Sequence, residues 1–215
     1  MVNDNELQIL MNALRLTVFT VALLWLSHVL RAQGEQYEKY QDKSNYVHGY
    51  VILPDGTKRG GMLKVPSLNK LFAYSQVNMV DKAGVKHTHQ PRELKGYQLG
   101  SRRFVSDGKR FLEVVIDGPV LLCEYKYWQY MTVGPGSAGT SRASSDFYVR
   151  WSEEEAFEYV KGRKFKERWG KRLAACPDVQ AAVQNEELRY RDMETIIRQY
   201  NRCLRPVPEK ILEGF

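Results

Sequence analysis

The sequence predicts an α+β fold: a curled antiparallel β-sheet or barrel-like β domain over residues 46–160, followed by a C-terminal helical segment over residues 161–215. Three observations predict it. Asp-Gly pairs punctuate the first part at Asp55-Gly56, Asp107-Gly108 and Asp117-Gly118, each between apolar segments, and Asp-Gly in that setting is a strong hairpin signal because glycine accepts positive φ. "LLCEYKYW" alternates with period two, placing Leu121, Cys123, Tyr125 and Tyr127 on one strand face and Glu124 and Lys126 on the other. From Arg163 onward the apolar residues Phe165, Trp169 and Leu173 recur at four-residue spacing, which is a helix period.

The chain opens with an apolar run, Leu16 to Leu30, preceded by Arg15 and followed by Arg31 and Ala32. As a helix this run reaches only about 22 Å, against about 30 Å for a bilayer core. Its layout is that of a secretory signal, with cleavage after Ala32 leaving Gln33 first, and initiation at Met11 supplies a conventional n-region. Residues 1–32 are therefore expected to be a signal peptide and residues 33–45 a polar, tyrosine-dotted lead-in. Cleavage removes Asp4 and Glu6 together with Arg15 and Arg31, so the mature chain keeps the net charge of +7. No cysteine stands at the cleavage site to carry a lipid anchor.

The strand texture starts at Tyr46, and Gly84 after Asp81-Lys82 adds a further turn. "GPGSAGTSRASS", Gly134 to Ser145, lacks the Gly-Lys-Ser/Thr ending of a phosphate loop and is expected to be a flexible hairpin tip. Between Ser152 and Val160 the signals conflict. Ser152 and Glu155 stand at capping-box spacing, but Gly162 cuts a helix short, and the return strand of a hairpin is the favoured reading. A second helix begins at Cys176, with Pro177 suited to its first turn. The last helix carries Met193, Ile196, Ile197, Tyr200 and Leu204 on one stripe, and Pro206 and Pro208 stop it.

Three cysteines in an exported chain imply one bridge and one leftover thiol. Cys123 lies in a strand whose neighbours face the core, so the expected disulfide joins Cys176 to Cys203 across a helical hairpin.

Chemistry-bearing motifs are sparse. His87 and His89 in "KHTHQP" share a strand face and are weak metal candidates without an evident third ligand. Asp55, Asp107 and Asp117 read as turn formers and Glu153 to Glu155 as a solvated run. There is no Gly-x-Ser-x-Gly elbow, no catalytic residue is assigned, and no cofactor motif occurs. Two binding surfaces are candidates. Arg163, Lys164, Arg168, Lys171 and Arg172 on the first helix form a possible face for an anionic partner. Tyr125, Tyr127, Trp128 and Tyr130 form a possible aromatic platform for a sugar or peptide.

Four motifs carry a family resemblance: "GYVILPDG" from Gly49 to Gly56, "FLEVVIDGPVLL" from Phe111 to Leu122, Cys176-Pro177, and Tyr200-Asn201-Arg202-Cys203. With the signal ending in Ala32-Gln33, the chain resembles a family of uncharacterised exported proteins of Bacteroidota-type bacteria. The resemblance spans the mature chain and implies location and layout, with no reaction attached. The expected function is an exported non-catalytic binding or structural protein of the periplasm or outer-membrane face; the alternative is an envelope hydrolase or carbohydrate-handling enzyme without a local signature. Expected partners are an envelope protein or anionic lipid headgroups. Nucleic acid is not expected, nor is a permanent transmembrane span after cleavage.

Overall fold

The computed structural model describes residues 37–66, 70–131 and 139–205, with position 18 alone upstream, so the signal peptide expected over residues 1–32, apart from position 18, and residues 206–215 lie outside the described residues. Within the described residues, ten strands form one antiparallel sheet: β1 (Tyr46–Ile52), β2 (Lys58–Lys64), β3 (Val77–Asp81), β4 (Lys86–His89), β5 (Gly96–Leu99), β6 (Arg102–Ser106), β7 (Phe111–Ile116), β8 (Leu121–Met131), β9 (Thr140–Arg150) and β10 (Glu158–Tyr159). Their spatial order is β10-β9-β8-β7-β6-β5-β1-β2-β3-β4. The sheet is open, with β4 and β10 as its edges, so the curled sheet is the form adopted and the closed barrel is not. Among the described residues no helix is long and apolar enough to cross a membrane.

Local chemistry makes the turns. The Asp55 carboxylate accepts from the Thr57 N–H at 2.8 Å, and Gly56 takes φ 91°. Asp107 accepts from the N–H groups of Lys109 and Arg110 at 2.9 and 2.7 Å, and Gly108 takes φ 84°. Asp117-Gly118 works differently. The Asp117 carboxylate accepts from Arg103 at 2.6 and 3.0 Å, and Gly118 is not at positive φ. Glycine is needed there because a Cβ would stand 2.6 Å from Nδ2 of Asn201.

The hairpin reading of residues 152–160 agrees with the structure: a turn leads into β10, which pairs antiparallel with β9. The supposed tip at 134–145 is shorter than expected, because Thr140 to Ser145 belong to β9 and pair with β8; residues 132–138 are outside the described set. A 3-10 turn, Lys70–Tyr74, had no sequence signal, being too short to show a period.

Within the described residues, three helices follow the sheet: α1 (Phe165–Arg172), α2 (Pro177–Gln184) and α3 (Met193–Cys203). Phe165, Trp169, Leu173, Val183, Met193, Ile196 and Ile197 pack on Ile116, Val120, Leu122, Val149 and Val160. Leu204, the C-cap of α3, does not continue this buried stripe; it is exposed. On the same sheet face, toward β1 to β3, the 3-10 turn brings Ala73 and Tyr74 onto Val51, Leu63, Met79, Tyr97, Phe104 and Phe111. The opposite face carries the smaller cluster of Leu112, Leu121, Cys123 and Tyr148. That smaller cluster lies beneath the space between the β6–β7 turn and the β9–β10 connection.

Candidate ligand-binding cleft

The opposite face of the sheet holds a cleft of about 640 Å³ between the β6–β7 turn and the β9–β10 connection. Register builds it. Tyr148 and Tyr159 are cross-strand partners, their rings 5.4 Å apart, and Arg150 lies two residues from Tyr148 on the same strand face. From the other wall, the Arg110 guanidinium stands 4.8 Å from the ring centres of both Tyr125 and Tyr148. Arg110 Nε donates to Asp107 Oδ2 at 2.9 Å, so the carboxylate that shapes the turn also fixes this guanidinium.

Arg150 is placed differently. Its guanidinium lies over the Phe157 ring at 5.1 Å, and among the described residues no carboxylate pairs with it or with Lys109. With Asp107 engaged by Arg110, Glu155 is the remaining acid in the lining, and the cleft is positive in excess. The Tyr159 hydroxyl donates to Asp146 Oδ1 at 3.2 Å. Burial, then the neighbouring Asp146 carboxylate, pushes its pKa up to about 12, so the phenol stays protonated. Sequence reading missed this site because Arg110 and Arg150 are joined only through the pairing of β7, β8 and β9.

The aromatic platform divides. Strand alternation stacks Tyr125 on Tyr127 at 5.8 Å, while Trp128 and Tyr130 project from the opposite face, 54% and 68% exposed. The four rings are not brought together.

On α1 the basic face is largely engaged. Arg168 and Arg172 donate to Glu158 at 3.1 and 3.4 Å, Arg172 also lies over Trp151, and Lys164 stands 4.0 Å from Glu167. Arg163 and Lys171 are exposed, with no carboxylate partner among the described residues.

His87 and His89, the weak metal candidates, are both half-buried. Their rings stack at 5.9 Å; His87 Nε2 is 2.8 Å from Asp81 and His89 Nδ1 is 3.9 Å from Glu93. Burial, then His87, lowers the His89 pKa, which keeps that ring neutral. Among the described residues no three His, Cys, Asp or Glu side chains converge as a metal site.

The half-buried Glu113 is saturated with donors. Arg102 reaches it with Nε and Nη2 at 2.6 and 2.7 Å, and the Tyr74 hydroxyl donates at 2.6 Å. Three donors on two oxygens leave a poor general base, so this acid is structural. Burial works to raise its pKa, but the Arg102 and Tyr74 hydrogen bonds outweigh burial and hold it below its ordinary 4.5. A carboxyl depressed in the folded state adds stability that is fully present above the unfolded value and lost as pH falls through the folded one. Glu113→Gln is therefore expected to cost about 2 kcal/mol at neutral pH and to flatten the acid limb of the stability profile. Urea midpoints at neutral pH and below about pH 4 check it; a variant as acid-sensitive as the parent would contradict the assignment.

Cys123 is fully buried, and burial pushes its thiol up to about 12. The native protein is expected to resist thiol reagents at pH near 8, with one thiol reacting only after denaturation. Rapid labelling of the native chain at Cys123 would show the thiol to be accessible.

Comparison with family models, curated proteins and solved structures finds no match.

Proposed function

We propose that the chain is an exported, non-catalytic binding or structural protein of the periplasm or outer-membrane face, of the kind its motifs resemble. The observation that carries the reading is the Cys176–Cys203 disulfide, which spans 27 residues and holds α3 beside the start of α2. A structural bridge of this kind persists where thiols are kept oxidised, and the short apolar run before Ala32 supplies a route there. The non-catalytic part is supported by how the reactive groups are used. Cys123 is buried as a thiol, Glu113 is held by Arg102 and Tyr74, Asp107 by Arg110 and Asp117 by Arg103. What stays open to solvent is a cleft of rings and cations.

The test is expression of the full chain in an exporting bacterial host, followed by intact-mass measurement and incubation of the purified product with peptidoglycan and lipopolysaccharide. The expected product starts at Gln33, leaves the cell envelope without detergent, and sediments with an envelope polymer without releasing fragments. A product that keeps Leu16 to Leu30 and needs detergent would defeat export by cleavage. Soluble fragments released from the polymer would defeat the non-catalytic reading and favour a hydrolase.

A further inference from the structure

We propose that the cleft between the β6–β7 turn and the β9–β10 connection binds an acidic saccharide, with Arg150 and Lys109 on its anionic group and Tyr159 against its ring. The proposal rests on reading the chain as a binding protein and names the ligand class for that cleft. Arg150 is the first observation. It is half-buried with its guanidinium over the Phe157 ring, yet no carboxylate among the described residues neutralises it. A guanidinium drawn into a protein surface is ordinarily paired, and its planar donor fork matches a carboxylate or phosphate. Arg110 gives the contrast: Asp107 satisfies it, so it stiffens the wall and contributes little free charge.

The aromatic groups specify the rest of the ligand. The Tyr159 ring is 38% exposed beside Tyr148, and its hydroxyl is anchored on Asp146, which fixes the plane of the ring. Such a ring offers an apolar face to the C–H groups of a sugar and a polar edge to its hydroxyls. Glu155 at the rim can accept from those hydroxyls. The volume falls within the range of small-molecule sites, about 300 to 1,000 Å³. The lining is made of side chains that project from the sheet face and its turns, which suits a compact ring.

The anion can be a uronate carboxylate or a sugar phosphate, and the probes separate them. The oxidised mature chain is titrated with glucuronate, glucose 6-phosphate, glucose and inorganic phosphate, followed by two-dimensional NMR. Saturable shifts at Tyr148, Arg150 and Tyr159 are expected with one or both acidic sugars, and none with glucose. Inorganic phosphate is expected to bind about tenfold more weakly than the better acidic sugar, for want of a ring to stack. Arg150→Gln is expected to weaken that binding about tenfold or more while the thermal midpoint holds. Lys109→Glu, on the exposed turn tip, tests the same charge without touching the floor and is expected to weaken binding by a similar factor. Glucose binding as well as glucuronate, phosphate alone matching the sugar phosphate, or a folded Arg150→Gln with parental affinity would each overturn the proposal. Sedimentation with an envelope polymer without acidic-sugar binding would reject this ligand and leave the wider function standing. Cleavage of the sugar phosphate would do the reverse, keeping the site and rejecting the non-catalytic reading.

Discussion

Replacing Asn201 by leucine is expected to destabilise the oxidised protein by about 4 kcal/mol, because it strands two buried backbone groups at once. Asn201 is 4% exposed; its Oδ1 accepts from the Val120 N–H and its Nδ2 donates to the Val120 carbonyl, each at 2.8 Å. The side chain thus completes the hydrogen bonding of a β7–β8 turn that lies 81 residues away in sequence. Leucine matches its size and supplies neither partner. The substitution Asn201→Asp tests the polarity alone, since a carboxylate keeps the acceptor and sets a second one against the Val120 carbonyl. A loss of about 4 kcal/mol is a large share of the roughly 5 to 15 kcal/mol typical of a folded domain. Gly118→Ala attacks the same contact from the other side, and its cost should not add to that of Asn201→Leu, because the two share one interaction. Urea unfolding of the two single variants and the double variant measures all of this. A change below about 1 kcal/mol for Asn201→Leu would mean that water replaces the side chain, contrary to the buried geometry.

That contact explains two of the motifs on which the family resemblance was drawn. "IDGPV" and "YNRC" are separate in the sequence and adjacent in the fold: Gly118 makes room, Val120 offers its backbone, Asn201 fills both bonds, and Cys203 fixes the helix end. They are structural, and the sequence carries no trace of their meeting. What was legible was local. Asp55-Gly56 and Asp107-Gly108 form turns because carboxylate and glycine act within four residues, and the stripe Phe165, Trp169, Leu173 is buried because its period is that of a helix. What was not legible depends on register and curvature. Arg150 meets Phe157 through a turn, Arg110 meets Tyr148 across the intervening strand β8, and the rings of "YKYWQY" divide between faces because a strand alternates. The basic helix shows the same limit, since its period reveals an exposed face but not that Glu158 waits for Arg168 and Arg172.

Removing the disulfide is the second large perturbation. The double variant Cys176→Ser, Cys203→Ser is expected to lose about 3 to 4 kcal/mol, the chain-entropy value for a closed loop of about 28 residues. The Cα atoms are 6.1 Å apart, within the ordinary span of a bridge, and Cys176 is buried while Cys203 lies on the exposed last turn of α3. The bridge therefore anchors a helix end that would otherwise fray. Two signatures identify the mechanism. The urea midpoint falls, and the m-value rises, because an unlinked unfolded chain exposes more surface. The loss is also coupled to Asn201, less than one helical turn before Cys203: with the bridge gone, α3 relies on the Asn201–Val120 bonds and its apolar stripe alone. Combining the double serine variant with Asn201→Leu should leave α3 detached from the sheet, visible as loss of amide protection from Met193 to Cys203 while β1 to β6 stay protected. Non-reducing peptide mapping of the purified protein fixes the starting point, with Cys176 linked to Cys203 and Cys123 free. A Cys123 crosslink, or equal stability of the bridged and serine forms, would contradict this account of what holds the C-terminal helix in place.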